Sequence, residues 1–259
     1  MDPDTPVPES ASFDPGGGEP TTLPDLPCWR LRIAALIEVL ACSGFPTQVA
    51  IGGLLALFGV MPFDARGHLS PGYVFTLSLL DAAALVALCG WFLHLHGERL
   101  SEVALGRRPL ALEALIGVLH VPLVFFIVIV VFLGVQRFVP TLHDVTKNPF
   151  QGLIGNAAQA ALFAVVAVVG GGVREEVQRA FILHRFRQYL GGGALGLIVS
   201  SVAFGLGHLI QGSDAALATA VLGAFWGYVY LRRGSIGSTV VSHSGFNAAE
   251  ILRYTLYGA

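Results

Sequence analysis

The sequence predicts an all-α fold, a polytopic integral membrane helical bundle of about seven transmembrane helices. Three observations predict it. The 259 residues are 54% hydrophobic and only 12% charged, with mean hydropathy +0.70, whereas a soluble domain carries about 25% charged residues. From residue 33 onward, apolar segments of spanning length, about 20 residues each, follow one another to the C-terminus. The cationic residues also fall unevenly on alternate loops between them, as in a chain threaded through a bilayer.

The elements follow in order. Residues 1–28 are rich in Pro, Gly and acid, with no apolar run and no basic n-region. They predict a disordered cytosolic tail rather than a signal peptide, ahead of a helical membrane domain at 29–259. The first apolar segment, 33–59, is long and bent at Pro46, and the second runs over 73–95. The stretch GERLSEVALGRRP, within 96–110, reads as a short interfacial helix before the third segment at 111–136. The fourth, 152–188, is too long for one simple span, so its charged end should project towards the interior aqueous side. The fifth, sixth and seventh cover 193–210, 214–231 and 236–257.

One set of alternate loops holds Arg30, Arg32, Arg99, Arg107, Arg108, Arg185, Arg187, Arg232 and Arg233, and the other holds Arg66, Arg137, Lys147 and Arg253. Nine against four predicts a cytosolic N-terminus, and the expected location is integral to a bacterial inner membrane. The formal net charge of −2 and the lack of a Lys/Arg block exclude a nucleic-acid partner. Cys28, Cys42 and Cys89 form neither a CxxC nor a Cys/His metal pattern and imply no disulfide framework.

Polar residues inside the spans mark the candidate site. In VGGGVREEVQRAFILHRFRQYL, Val169–Leu190, four charged residues stand where a span should be apolar: Arg174, Glu175, Glu176 and Arg179. Each would cost about 2.5–3.5 kcal/mol facing lipid, so they must face protein or water and pair. Arg179 lies four residues after Glu175 and three after Glu176, within helical reach of either, with the i, i+4 relation favouring Glu175. Gly170–Gly172 let backbone or substrate approach closely. The competing structural reading is a helix end with a solvated charge cluster. Two further sets follow: Phe204-Gly205-Leu206-Gly207-His208 on the fifth segment, and His243-Ser244-Gly245-Phe246-Asn247 on the seventh. Singly, each histidine reads as a satisfied core residue. Together, two carboxylates, two imidazoles and a carboxamide on three apolar helices could converge. Glu38, Asp81, Glu113, His120 and Glu250 also fall in or near spans, but in no cluster, and helix–helix hydrogen bonding or interfacial placement accounts for them.

A carboxylate beside a histidine in a dry cavity is a general-base arrangement for activating water. A His/Asn pair supplies donors for the oxyanion formed when that water attacks a carbonyl. Such an assembly hydrolyses an amide bond without a serine or cysteine nucleophile, and needs no cofactor. Glu175, His208 and His243 with an open position would also suit Zn²⁺, though the chain has no HExxH.

The order of an EExxxR-like motif, then FxxxH, then HxxxN, each on a separate late helix, resembles the CPBP intramembrane proteases. These include the type II CAAX prenyl endopeptidases and the bacteriocin-processing and immunity (Abi) proteins. The resemblance covers roughly residues 150–250. FGLGH at Phe204–His208 and HSGFN at His243–Asn247 match the second and third motifs without a gap. The first departs: the family's arginine comes five residues after the first glutamate, and here Arg179 follows Glu175 by four. With Arg179 as anchor, Glu175 takes the second glutamate position and Arg174 the first. With the Glu pair as anchor, the arginine comes one residue early.

The resemblance implies an intramembrane endopeptidase acting on a membrane-embedded or lipidated protein or peptide, prenylated or not. It implies that Glu175 or Glu176 with His208 activates water, that His243 and Asn247 stabilise the oxyanion, and that Arg179 and Phe204 support them. Two other readings use the same residues. A proton-coupled transporter would use the Glu/His set as a relay, although no inverted repeat is visible. A catalytically inactive relative would serve as scaffold or immunity factor, which the shifted first motif keeps open.

Overall fold

The computed structural model describes residues 28–145 and 149–258, and these form helices without a β-strand. The tail expected at 1–28 falls, but for Cys28, outside them, as does Lys147. The chain begins with α1 (Cys28–Ala41) and α2 (Phe45–Leu57), which meet at a bend of 43°. The bend expected at Pro46 is made by two residues. Gly44 takes φ +86, a conformation only glycine adopts without strain. Pro46 then occupies the first turn of α2, where its missing N–H costs nothing.

α3 (Pro71–Leu95) starts with Ser70, whose hydroxyl accepts from the Tyr73 amide at 3.4 Å, and with Pro71 at its first position. The interfacial helix expected after it is α4 (Leu100–Ala104), only five residues long. α5 (Leu110–Phe138) runs 29 residues through an interior Pro122. Just 11% of its most apolar window is buried, so most of this helix faces lipid. Phe126, Ile129, Val130 and Leu133 lie on that exposed surface.

The fourth segment is one continuous helical rod, Ala157–Tyr189, of 33 residues. It comprises α6 (Ala157–Val166), a π-helical stretch (Ala167–Arg174) and α7 (Glu175–Tyr189). At 1.5 Å per residue it reaches about 50 Å, longer than the roughly 30 Å hydrocarbon layer, as its sequence length implied. Three helices complete the bundle: α8 (Gly193–Leu206), α9 (Ser213–Arg233) and α10 (Gly237–Tyr257). α9 ends where Gly234, at φ +64, donates its amide to the Tyr230 carbonyl at 2.7 Å.

The helical membrane bundle stands, with a helix over each of the seven apolar segments. Among the described residues, α3, α5, α6–α7 and α9 are long and apolar enough to cross, and the bent α1–α2 pair makes five. α8 has 14 residues, about 21 Å, and with the turn that follows it carries the chain from the level of Glu98, beside the end of α7, to that of Asp144, beside the start of α9. α10 has the length, but His243, Asn247, Glu250 and Arg253 lower its hydropathy. Both pack within the bundle, α8 along α9, and α10 along α5 and the π-helical stretch.

Candidate active site

The site forms where the middle of the Ala157–Tyr189 rod meets α10, α9 and the end of α8. Gly170–Gly172 occupy the π-helical stretch, and their missing side chains set how near α10 can come. A Cβ on Gly171 would stand 2.5 Å from Asn247 Nδ2, and one on Gly172 would overlap the Ser244 hydroxyl. π-Helical turns inside α-helices recur at functional sites. Here the turn lays the glycines against the HSGFN face of α10.

Beyond the glycines, the charged residues emerge in sequence and divide between two partners. Glu176, fully buried, pairs with Arg179 of its own helix. The same Oε1 accepts from His243 Nδ1 at 3.0 Å. Arg179 therefore engages the glutamate three residues back, not Glu175, which the i, i+4 spacing had favoured. Its guanidinium also lies over the rings of Phe204 (4.8 Å to the centroid) and Trp226 (5.7 Å), which cover a cation that hydrocarbon would not tolerate.

Glu175 is left less encumbered. Its Oε2 stands 3.8 Å from His243 Nε2, its Oε1 stands 4.0 Å from Arg174 Nη1, and it retains some exposure. His243 is thus flanked by both carboxylates. Since a carboxylate only accepts, Nδ1–H of His243 donates to Glu176, and Nε2 turns towards Glu175. The ring is clamped by Trp226, stacked on it at 3.9 Å and 17°, while Trp226 Nε1 donates to Ser242 at 2.9 Å. Trp226 is a residue that the sequence did not mark. Its signal was position, since a tryptophan at mid-span is away from the interfacial belt where that residue gathers.

Asn247 Nδ2 makes only a 3.5 Å contact, to the Ala167 carbonyl, and both it and His243 Nε2 open over Gly171. His208 lies in the turn that ends α8. Its Nδ1–H donates to the Phe204 carbonyl at 2.8 Å, leaving Nε2 as an acceptor, and its ring meets the Phe204 ring edge-on at 4.8 Å. Phe204 in turn meets His243 at 6.3 Å. Among the described residues, no hydrogen bond or ion pair joins His208 to either glutamate. The structure thus gathers Glu175, Glu176, Arg179, His243 and Asn247 directly, and His208 across one phenyl ring.

The residues do not fit a metal. Among the described residues, no group of three or more His, Cys, Asp or Glu is placed to hold an ion, so Glu175, His208 and His243 do not form a ligand set. The isolated polar residues pair structurally: Glu38 with Arg185 and His96, Asp81 with Arg174, Glu113 with Arg233, and Glu250 with Arg253. His120 packs edge-on against Phe225 at 5.3 Å.

Fold and site together define an integral membrane protein with a buried carboxylate–histidine centre inside its helical bundle. A family model, the Rce1-like type II CAAX prenyl endopeptidases, matches residues 157–249, from the start of α6 into α10 and across all three motifs. The match supports, for that stretch, the family its motifs resemble. No curated protein and no solved structure matches the chain.

Proposed function

We propose that this chain is an intramembrane endopeptidase that hydrolyses a peptide bond with water as nucleophile. One observation carries the proposal: His243 is held between a fully buried, arginine-paired Glu176 and a more open Glu175. The two carboxylates then have separate tasks. Glu176, committed to Arg179, orients the imidazole. Glu175 is the general base, taking a proton from water as that water attacks the scissile carbonyl. The same proton passes to the departing amine, so the products are a carboxylate and an amine.

With His243 as imidazolium, Nδ1–H donates to Glu176 while Nε2–H, together with Asn247 Nδ2–H, stabilises the oxyanion over the notch at Gly171. His208 presents its free Nε2 from the α8 side and orients the water opposite Glu175. Arg179 and Phe204 hold this frame. A site at this depth suits a membrane-embedded or lipidated substrate, prenylated or not. The arginine bias of the loops supports a cytosolic N-terminus, and the membrane of this reading is a bacterial inner membrane.

Purified protein in mild detergent, incubated with prenylated and unprenylated C-terminal peptides, tests the proposal. Wild type should cleave a peptide, and Glu175→Gln, His208→Ala and His243→Ala should each lower kcat by about 100-fold or more without loss of fold. A folded His243→Ala or Glu175→Gln protein with normal turnover refutes it.

A further inference from the structure

A second buried ion pair lies against the base, with its carboxylate on a helix outside residues 157–249. Arg174 ends the π-helical stretch, immediately before Glu175, and its Nη2 stands 2.6 Å from Asp81 Oδ2 of α3. Its Nη1 stands 4.0 Å from Glu175 Oε1. One guanidinium therefore sits between two carboxylates and is drawn to Asp81. Asp81 is itself fixed from α2, since Thr47 donates to Oδ1 and Gln48 Nε2 donates to Oδ2 at 3.3 Å. Gly44 walls the far side, where any Cβ would run into Arg174 Nη2.

The Arg174–Asp81 contact is close but not aligned as a hydrogen bond, so buried Nε and Nη2 lack an acceptor. A guanidinium with unsatisfied donors inside a membrane will turn to any carboxylate in reach. Besides Asp81, that carboxylate is Glu175. The other charged groups around Glu175 are His243 from α10 and, on its own helix, Glu176, which is held by Arg179.

Building on the proteolytic reading above, we propose that Asp81 is a positioning residue, which holds the Arg174 guanidinium off Glu175 and so keeps that carboxylate free to act as base. A carboxylate in contact with arginine is a poor proton acceptor. Neutralising Asp81 releases Arg174 onto Glu175. Neutralising Arg174 as well removes the cation that would do harm, so the second substitution rescues the first. A merely structural ion pair predicts the reverse, a double variant no better than the single.

The test compares wild type, Asp81→Asn, Arg174→Gln, the double variant and Glu175→Gln. It has two readouts: kcat and KM on a cleaved peptide, and labelling of Glu175 by dicyclohexylcarbodiimide, read by mass spectrometry. That reagent takes protonated carboxyls in apolar surroundings, and its use needs no turnover. Asp81→Asn should lower both kcat and Glu175 labelling about tenfold, with KM unchanged, equivalent to one unit in the base's proton affinity. The double variant should restore both to within about threefold. Glu175 labelled alike in wild type and Asp81→Asn, or unlabelled in wild type, overturns the proposal, as does a folded double variant no better than Asp81→Asn. Cleavage that survives Glu175→Gln instead overturns the assignment of Glu175 as base, on which the proposal rests, while the labelling still shows whether Asp81 holds Arg174 off that carboxylate.

Discussion

Replacing Arg179 by methionine, which keeps the volume and removes the charge, should destabilise the bundle far more than a surface change. Arg179 is buried and its partner Glu176 has no exposure. Breaking a buried pair costs about 3–5 kcal/mol, because the remaining charge is left uncompensated. The contacts with the Phe204 and Trp226 rings add about 0.5–1 kcal/mol each. Arg179→Met should therefore cost about 4–7 kcal/mol. Adding Glu176→Gln removes the orphaned charge and leaves the lost ring contacts and a weaker bond to His243, about 2 kcal/mol. The double-mutant cycle should give a coupling of at least about 2 kcal/mol. Denaturant titration of the protein in detergent micelles measures it, followed by tryptophan fluorescence, with Trp226 beside the pair. An Arg179→Met variant that loses less than about 1 kcal/mol refutes the reasoning. A double variant as unstable as the single does so too.

Other outcomes follow from the same contacts. Gly172→Ala puts a Cβ onto Ser244 and its backbone, so it should push α10 from the π-helical stretch and cost about 1–3 kcal/mol, read by thermal unfolding, with peptide cleavage abolished. Trp226→Leu removes the ring stacked on His243 and the bond to Ser242; it should cost about 1–3 kcal/mol and lower kcat more than it changes KM. Outside the spans, burial alone would raise Glu98, but hydrogen bonds from His184, Arg185 and Gln188 hold it at about 2 against an ordinary 4.5. A depressed carboxylate contributes stability that is present above 4.5 and lost as pH falls through about 2. Acid titration of unfolding should show that limb in wild type, and Glu98→Gln should flatten it.

The helices were legible because apolar length is written directly in the sequence, and Ala157–Tyr189, the bend near Pro46 and the short helix after α3 all follow from it. What apolar length did not show is where the fifth helix stops, since α8 ends at Leu206 after 14 residues and the remainder of its run turns instead. The gathering of Glu175, Glu176, His243 and Asn247 was legible for a related reason. Polar residues on apolar helices must find each other. Trp226 and Asp81 were not, because a lone tryptophan and a lone aspartate carry no pattern, and only the packing of α9 and α3 gives them partners.

The pairing of Arg179 shows why spacing could not choose between the glutamates. On a helix, residues three and four apart sit about 60° and 40° to either side of a given side chain, so Glu176 and Glu175 both lie within reach of Arg179. The choice is made by what surrounds the guanidinium. Phe204, Trp226 and His243 line the side on which Glu176 lies, and there the carboxylate can be dry and paired through its Oε1. Glu175 lies on the other side, towards Arg174 and the opening over Gly171. A glutamate paired with arginine through one oxygen is suited to holding a histidine on that same oxygen, and one kept at 4.0 Å from its nearest guanidinium is suited to taking a proton. If Glu176→Gln abolished turnover while Glu175→Gln left it unchanged, this division of labour would be reversed, and Asp81 would have no part in the chemistry.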